Sequence, residues 1–310
     1  MNRQIDVHGA PEGPMDPDRA GFLRRREVWA VLALAAIVRV AYWASKWNDG
    51  LLFNDSLYYS GQAIKMFHGQ WFRDPFFDLP AADHGPVTTL LMAPLSGGSD
   101  PWRWQRLITV MTGLVLVAVV MRWTTEMVSR RAGIAAGILA ALYPNLWMND
   151  GLVMSESVAL AFLVTASWLA WRALRQWEGG PRALRSWWSA GAVFGLAALT
   201  RSEIALIAVV VVAWCTWRER RCGAWRALVA LGLVALPWVA YNTARFDRQF
   251  LLTTNEGGAL LGSNCDATWE GTHLGGWSIF CFESDLDYDH EEDPSVRSVR
   301  QRSLAIDYVL

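Results

Sequence analysis

Residues 24–47 read RRREVWAVLALAAIVRVAYWASKW, three arginines followed by an apolar run from Val28 that closes on Tyr42, Trp43 and Trp47. The run has the length of about 20 residues that a helix needs to cross the hydrocarbon of a bilayer. A basic patch before an apolar run is also how a cleaved secretory signal begins. Here the run approaches a full span and ends in aromatic rather than small residues, so it reads as an uncleaved first span.

Six further apolar segments follow, near residues 107–121, 132–148, 152–171, 187–199, 204–217 and 227–241. With the first they make an all-α polytopic membrane protein of about seven spans. Several are short for a crossing, so they borrow flanking residues or belong to tightly turned hairpins. Composition agrees: the 310 residues are 53% hydrophobic and only 18% charged, too few charges to clothe a soluble domain of this size. A net charge of -1 leaves no basic face to neutralise phosphates, which excludes nucleic acid as a partner. Residues 1–22 carry Pro11, Pro14 and Pro17 without apolar periodicity and read as a disordered cytoplasmic tail.

The basic residues orient the spans. Arg24 to Arg26, then Arg122, Arg130 and Arg131, then Arg172, Arg175, Arg182 and Arg185, then Arg218, Arg220, Arg221 and Arg226 fall in alternate loops. The positive-inside rule places these loops, and the N-terminus, in the cytoplasm. The opposite side then holds a long first loop near 48–106, tight turns at 145–151 and 200–203, and an extracytoplasmic segment 242–310. Cys265 and Cys281 fall in that segment, where an oxidising compartment lets thiols pair; Cys215 and Cys222 fall at the inner face.

Ionisable groups beside a membrane are costly and are usually kept for function or for one another. Asp55 stands just after the first span in Asn54-Asp55-Ser56-Leu57-Tyr58-Tyr59, and His84-Gly85-Pro86 lies later in the same loop. Asp150 and Glu156 bracket one outer turn, and Arg201 and Glu203 occupy another. Each has a plain reading as a polar residue closing a turn at the water boundary. Arg39 lies inside the first span, where it either snorkels outward or faces the bundle and holds an anion through its planar fork of donors. In the first loop, Leu57, Tyr58, Ala63, Ile64, Phe67, Trp71 and Phe72 alternate with Lys65, His68 and Arg73, the pattern of a helix lying in the interface. The run 87–95 is too short to span and reads as a second interfacial helix.

The order of these features resembles the GT-C membrane glycosyltransferases, and among them the family of dolichyl-phosphate-mannose protein mannosyltransferases and bacterial aminoarabinose transferases. The stretches that carry the resemblance are 54–59, 84–94, 143–156, 195–203 and 236–242. Each is short and degenerate; their order and the topology carry the weight. The resemblance implies inverting transfer of a sugar from a polyprenyl-phosphate donor, a partner held among membrane lipids, to a hydroxyl acceptor it does not identify. It implies Asp55 as general base, Arg201 and Arg39 as phosphate-holding groups, and Glu203, Tyr58, Tyr59, His84, Asp150 and Glu156 as substrate-binding residues. Asp150 and Glu156 match in position an acidic site that related oligosaccharyl transferases use for a metal. Donors with a single phosphate mostly dispense with one, so no cofactor is expected and a divalent cation is the less favoured reading. Families of this fold usually continue into further spans and a soluble part, so 242–310 is expected to be the start of a truncated C-terminal region. A transporter or flippase is the competing class, favouring inverted repeats; no convincing repeat is found. A non-catalytic assembly protein is the third.

Overall fold

The computed structural model describes residues 22, 25–52, 55–176, 181–219, 222–271, 273–286, 289 and 291–310. Residues 1–21 of the expected tail, together with Arg24, Asn54, Arg220 and Arg221, lie outside the described residues.

The first span is α1 (Arg26–Ser45), and the first loop carries α2 (Asp55–Phe67) and α3 (Pro86–Met92). Next come α4 (Pro101–Met127), α5 (Arg130–Leu142), a single turn α6 (Pro144–Trp147) and a 3₁₀ turn Met148–Gly151. The bundle is completed by α7 (Glu156–Arg175), α8 (Pro181–Ala198), α9 (Ile204–Arg218) and α10 (Trp225–Thr243). Beyond it lie α11 (Glu256–Leu261), α12 (Asp266–Trp269) and α13 (Pro294–Val309). Among the described residues there is no strand, only an isolated bridge between Arg73 and Pro80. The chain is an all-α polytopic membrane fold.

All seven expected segments are helices. By length and composition, α1, α4, α7 and α10 can cross a membrane. The helix α5 is shorter than its apolar run because Pro144 has no N–H to continue it and disfavours a helical Tyr143. Its start is set by Ser129, whose side chain accepts from the Ala132 N–H. Likewise α4 begins with Pro101 in its first turn, where the missing N–H costs nothing.

Two packed groups form the bundle. One joins α1, α4 and α5 through Val28, Val31, Ala35, Val117, Met121 and Ala141. The other joins α7 to α10 through an alanine-rich seam that closes on Trp187 and Phe194. Lipid chains are as apolar as side chains, so membrane helices associate by close packing of small residues. At Gly191 in α8, a Cβ would stand 2.1 Å from the Ala227 carbonyl oxygen of α10, so no larger residue fits that approach.

The C-terminal segment docks onto the first loop. Arg245 donates to the carbonyls of Phe72 and Ala81 and to Asn242 Oδ1. The Thr254 N–H donates to the Ala82 carbonyl at 2.8 Å, and Thr254 Oγ1 to Asp83 at 2.5 Å. Cys265 and Cys281 form a disulfide in this segment, whereas Cys215 and Cys222 are free and buried.

Candidate active site

Three elements meet at one end of the bundle. Asp55 opens α2, and the buried face of that helix carries Tyr58 and Tyr59. The His84 ring packs edge-on against Tyr58, with centroids 5.0 Å apart, and tilted against Tyr59 at 4.7 Å. This fixes His84 Nε2 at 3.8 Å from Asp55 Oδ1. His84 reaches this place because the next residue is glycine. A Cβ at Gly85 would stand 2.1 Å from the Leu199 carbonyl oxygen, and that oxygen accepts from the Val87 N–H at 3.1 Å. The loop therefore lies directly on the end of α8.

The turn after α8 delivers Arg201. Its Nε donates to Glu203 at 2.5 Å and its Nη1 to Glu156 at 2.7 Å, so one guanidinium joins the α8–α9 turn to the first residue of α7. Glu156 Oε2 is buried and has no hydrogen-bond partner among the described residues. Asp55, Tyr59, Asp83, His84, Ser155, Thr200, Arg201, Ser202 and Glu203 line a cavity of about 180 Å³, together with Thr253, Asn255, Glu256 and Ala259 of the C-terminal segment.

The electrostatics assign distinct states to these groups. Asp55 is 56% exposed, open to water and to an incoming hydroxyl. Burial lowers the His84 pKa from its ordinary value and outweighs the nearby Asp55 carboxylate, so the imidazole is neutral at neutral pH. Burial also raises the Tyr58 and Tyr59 phenols, which stay protonated. For Arg201 burial opposes the charge, but Glu203 and Glu156 outweigh it and raise its pKa.

Of the residues picked out in the sequence, Asp55, Tyr59, His84, Arg201 and Glu203 share the cavity, with Glu156 on Arg201 and Tyr58 behind His84. Arg39 and Asp150 are elsewhere. Both side chains are 0% exposed, and Arg39 Nε lies 2.8 Å from Asp150 Oδ2. Arg39 thus does not snorkel: it faces the bundle and holds the Asp150 carboxylate, away from the cavity. Asp83, Ser155 and Glu256 were missed as site residues: each is an ordinary polar residue beside a turn, placed here by loop packing. Among the described residues no three His, Cys, Asp or Glu side chains group as a metal cluster. Asp150 pairs with Arg39, and Glu156 pairs with Arg201.

The membrane helical bundle, with polar groups of its first loop meeting an arginine turn, has a fold shared with solved oligosaccharyl- and mannosyltransferases. More particularly, a sequence profile of the dolichyl-phosphate-mannose-protein mannosyltransferase family matches residues 84–243, just over half of the chain, and the chain belongs to that family. No curated protein is matched by the sequence. Solved structures share the fold. The apo oligosaccharyltransferase of Archaeoglobus fulgidus aligns over 91% of this chain and 34% of its own, with TM-score 0.61 and 17% identity. ArnT from Cupriavidus metallidurans bound to undecaprenyl phosphate aligns over 71% and 42%, at 0.58 and 18%. The S. cerevisiae protein O-mannosyltransferase Pmt1-Pmt2 complex bound to the sugar donor aligns over 76% and 37%, at 0.55 and 15%. The chain thus spans between 34% and 42% of the length of these proteins.

Proposed function

We propose that this chain is the catalytic part of an inverting glycosyltransferase that moves a sugar from a polyprenyl-phosphate donor to an acceptor hydroxyl at the outer face of the membrane. The observation that carries the reading is the exposed Asp55 carboxylate facing the same small cavity as Arg201. Family membership and a fold shared with proteins solved with undecaprenyl phosphate and with a sugar donor support it.

The donor's prenyl chain stays among lipids while its phosphate sits against Arg201. Asp55 takes the proton of the acceptor hydroxyl as that oxygen attacks the anomeric carbon from the face opposite the phosphate. The carbon–oxygen bond to phosphate breaks, the configuration inverts, and polyprenyl phosphate leaves with its new charge on the arginine. Neutral His84 and the protonated Tyr59 offer hydrogen bonds to sugar hydroxyls. We assign leaving-group stabilisation to Arg201, the guanidinium that lines the cavity with Asp55. Helix order supports the outer placement: the cavity lies at the start of α7 and the end of α8, while Arg172, Arg175, Arg182 and Arg185 lie at their other ends.

The test is transfer from a polyprenyl-phosphate sugar in sealed membranes, comparing the native chain with Asp55→Asn. The native chain forms product at the outer face and the variant loses it. Unchanged turnover in Asp55→Asn removes the aspartate from catalysis.

A further inference from the structure

Asp150 is fixed on several sides. One carboxylate oxygen meets Arg39, the other accepts from Ser157 Oγ at 2.7 Å, and its carbonyl accepts from Thr109 Oγ1 at 2.7 Å. Arg39 also donates to the Ala141 carbonyl at the end of α5. Gly113 of α4 leaves the space, since a Cβ there would stand 2.5 Å from Asp150 Oδ2 and 2.7 Å from Arg39 Nε. Helices α1, α4, α5 and α7 therefore converge on one ion pair. Stability alone is a poor account of it, because desolvating two charges costs about as much as their attraction returns, and apolar residues of similar volume usually serve as well.

The connection to Ser157 is more telling. From Asp150 to Ser157 the chain folds back and is closed by that side-chain hydrogen bond, and Glu156 lies inside the closed stretch. Every second residue of the stretch from 151 to 157 is buried. A Cβ on Gly151 would meet the Tyr42 ring at 2.4 Å, and Val153 and Ser155 are buried. Glu156 is the residue whose carboxylate holds Arg201, and Ser155 lines the cavity beside it.

We propose that the Arg39–Asp150 pair is a positioning device: through Ser157 it sets the first turn of α7, and so the Glu156 carboxylate that aims Arg201 into the cavity. Neither residue touches substrate. The inference rests on the reading of Arg201 as the donor's phosphate anchor.

The experiment measures binding of a short-chain polyprenyl monophosphate to the solubilised full chain, with amide hydrogen exchange read at residues 200–203. Ser157→Ala leaves the ion pair intact and folds. It weakens binding about fivefold and speeds exchange at 200–203, and Ser157→Thr restores both. In a Glu156→Gln background the Ser157→Ala change adds nothing, because its route runs through Glu156. Full additivity of the two changes, or unchanged exchange at 200–203, overturns the positioning role. If Glu156→Gln and Arg201→Lys both leave binding unchanged, the phosphate anchor fails instead; faster exchange at 200–203 in Ser157→Ala then still upholds the device.

Discussion

Two arginine–carboxylate arrangements stand at neighbouring turns of this bundle, and they differ in almost everything but charge. Arg39 and Asp150 are sealed, with 0% of either side chain exposed. Arg201, with Glu156 and Glu203, is 40% exposed and faces a cavity. A sealed pair is held because neither member can be left alone in a low dielectric. An open one contributes little to stability, since water screens it, and is free to exchange a partner for a substrate. The lesson is that charge at membrane depth marks importance, while access decides between scaffold and chemistry.

The largest effect that would break this contrast is on turnover. Asp55→Asn lowers kcat by about a hundredfold to ten-thousandfold in the transfer assay, with no loss of melting temperature because the side chain is open to solvent. In the sealed pair the loss falls on the fold instead. Arg39→Met alone costs about 3–5 kcal/mol of stability by stranding the Asp150 charge, and the double variant Arg39→Met with Asp150→Leu recovers most of it; chemical denaturation in detergent reads both. At the open site, Arg201→Lys retains charge but loses the planar fork, lowering kcat/KM about a hundredfold while thermal unfolding stays close to the native chain's. A smaller effect is expected at Gly85→Ala, which drives a Cβ onto the Leu199 carbonyl, costs about 1–3 kcal/mol and displaces His84 from Asp55.

The least effect concerns pH. Burial holds the His84 pKa below its ordinary value, so the unfolded chain takes up that proton first as pH falls. Stability therefore declines as pH drops through the ordinary histidine range, and His84→Gln removes that increment in paired melts at pH 7 and pH 5.

Much of this was legible in the sequence because membrane helices announce themselves by length and apolarity. Every expected segment is a helix, and Pro144 marks where one stops. Asp55, His84, Arg201 and Glu203 stood out because ionisable residues are scarce near apolar runs. The partner of Arg39 did not, since it depends on the angle at which α1 meets the turn before α7 and on the absence of a side chain at Gly113. Asp83 and Glu256 were hidden for another reason. A polar residue in a polar loop carries no signal until the loop packs, and here the packing is a hydrogen bond between Thr254 and Asp83, distant in sequence.

That hydrogen bond ties the cavity to a stretch of chain far away in sequence. Part of the cavity lining, Thr253, Asn255, Glu256 and Ala259, belongs to a segment that follows α10 and is laid against the first loop by backbone and threonine contacts. The cavity is therefore bounded in part from outside the bundle, so a change at Thr254 reaches its lining while the packing of α7 against α8 and α10 stays as it is.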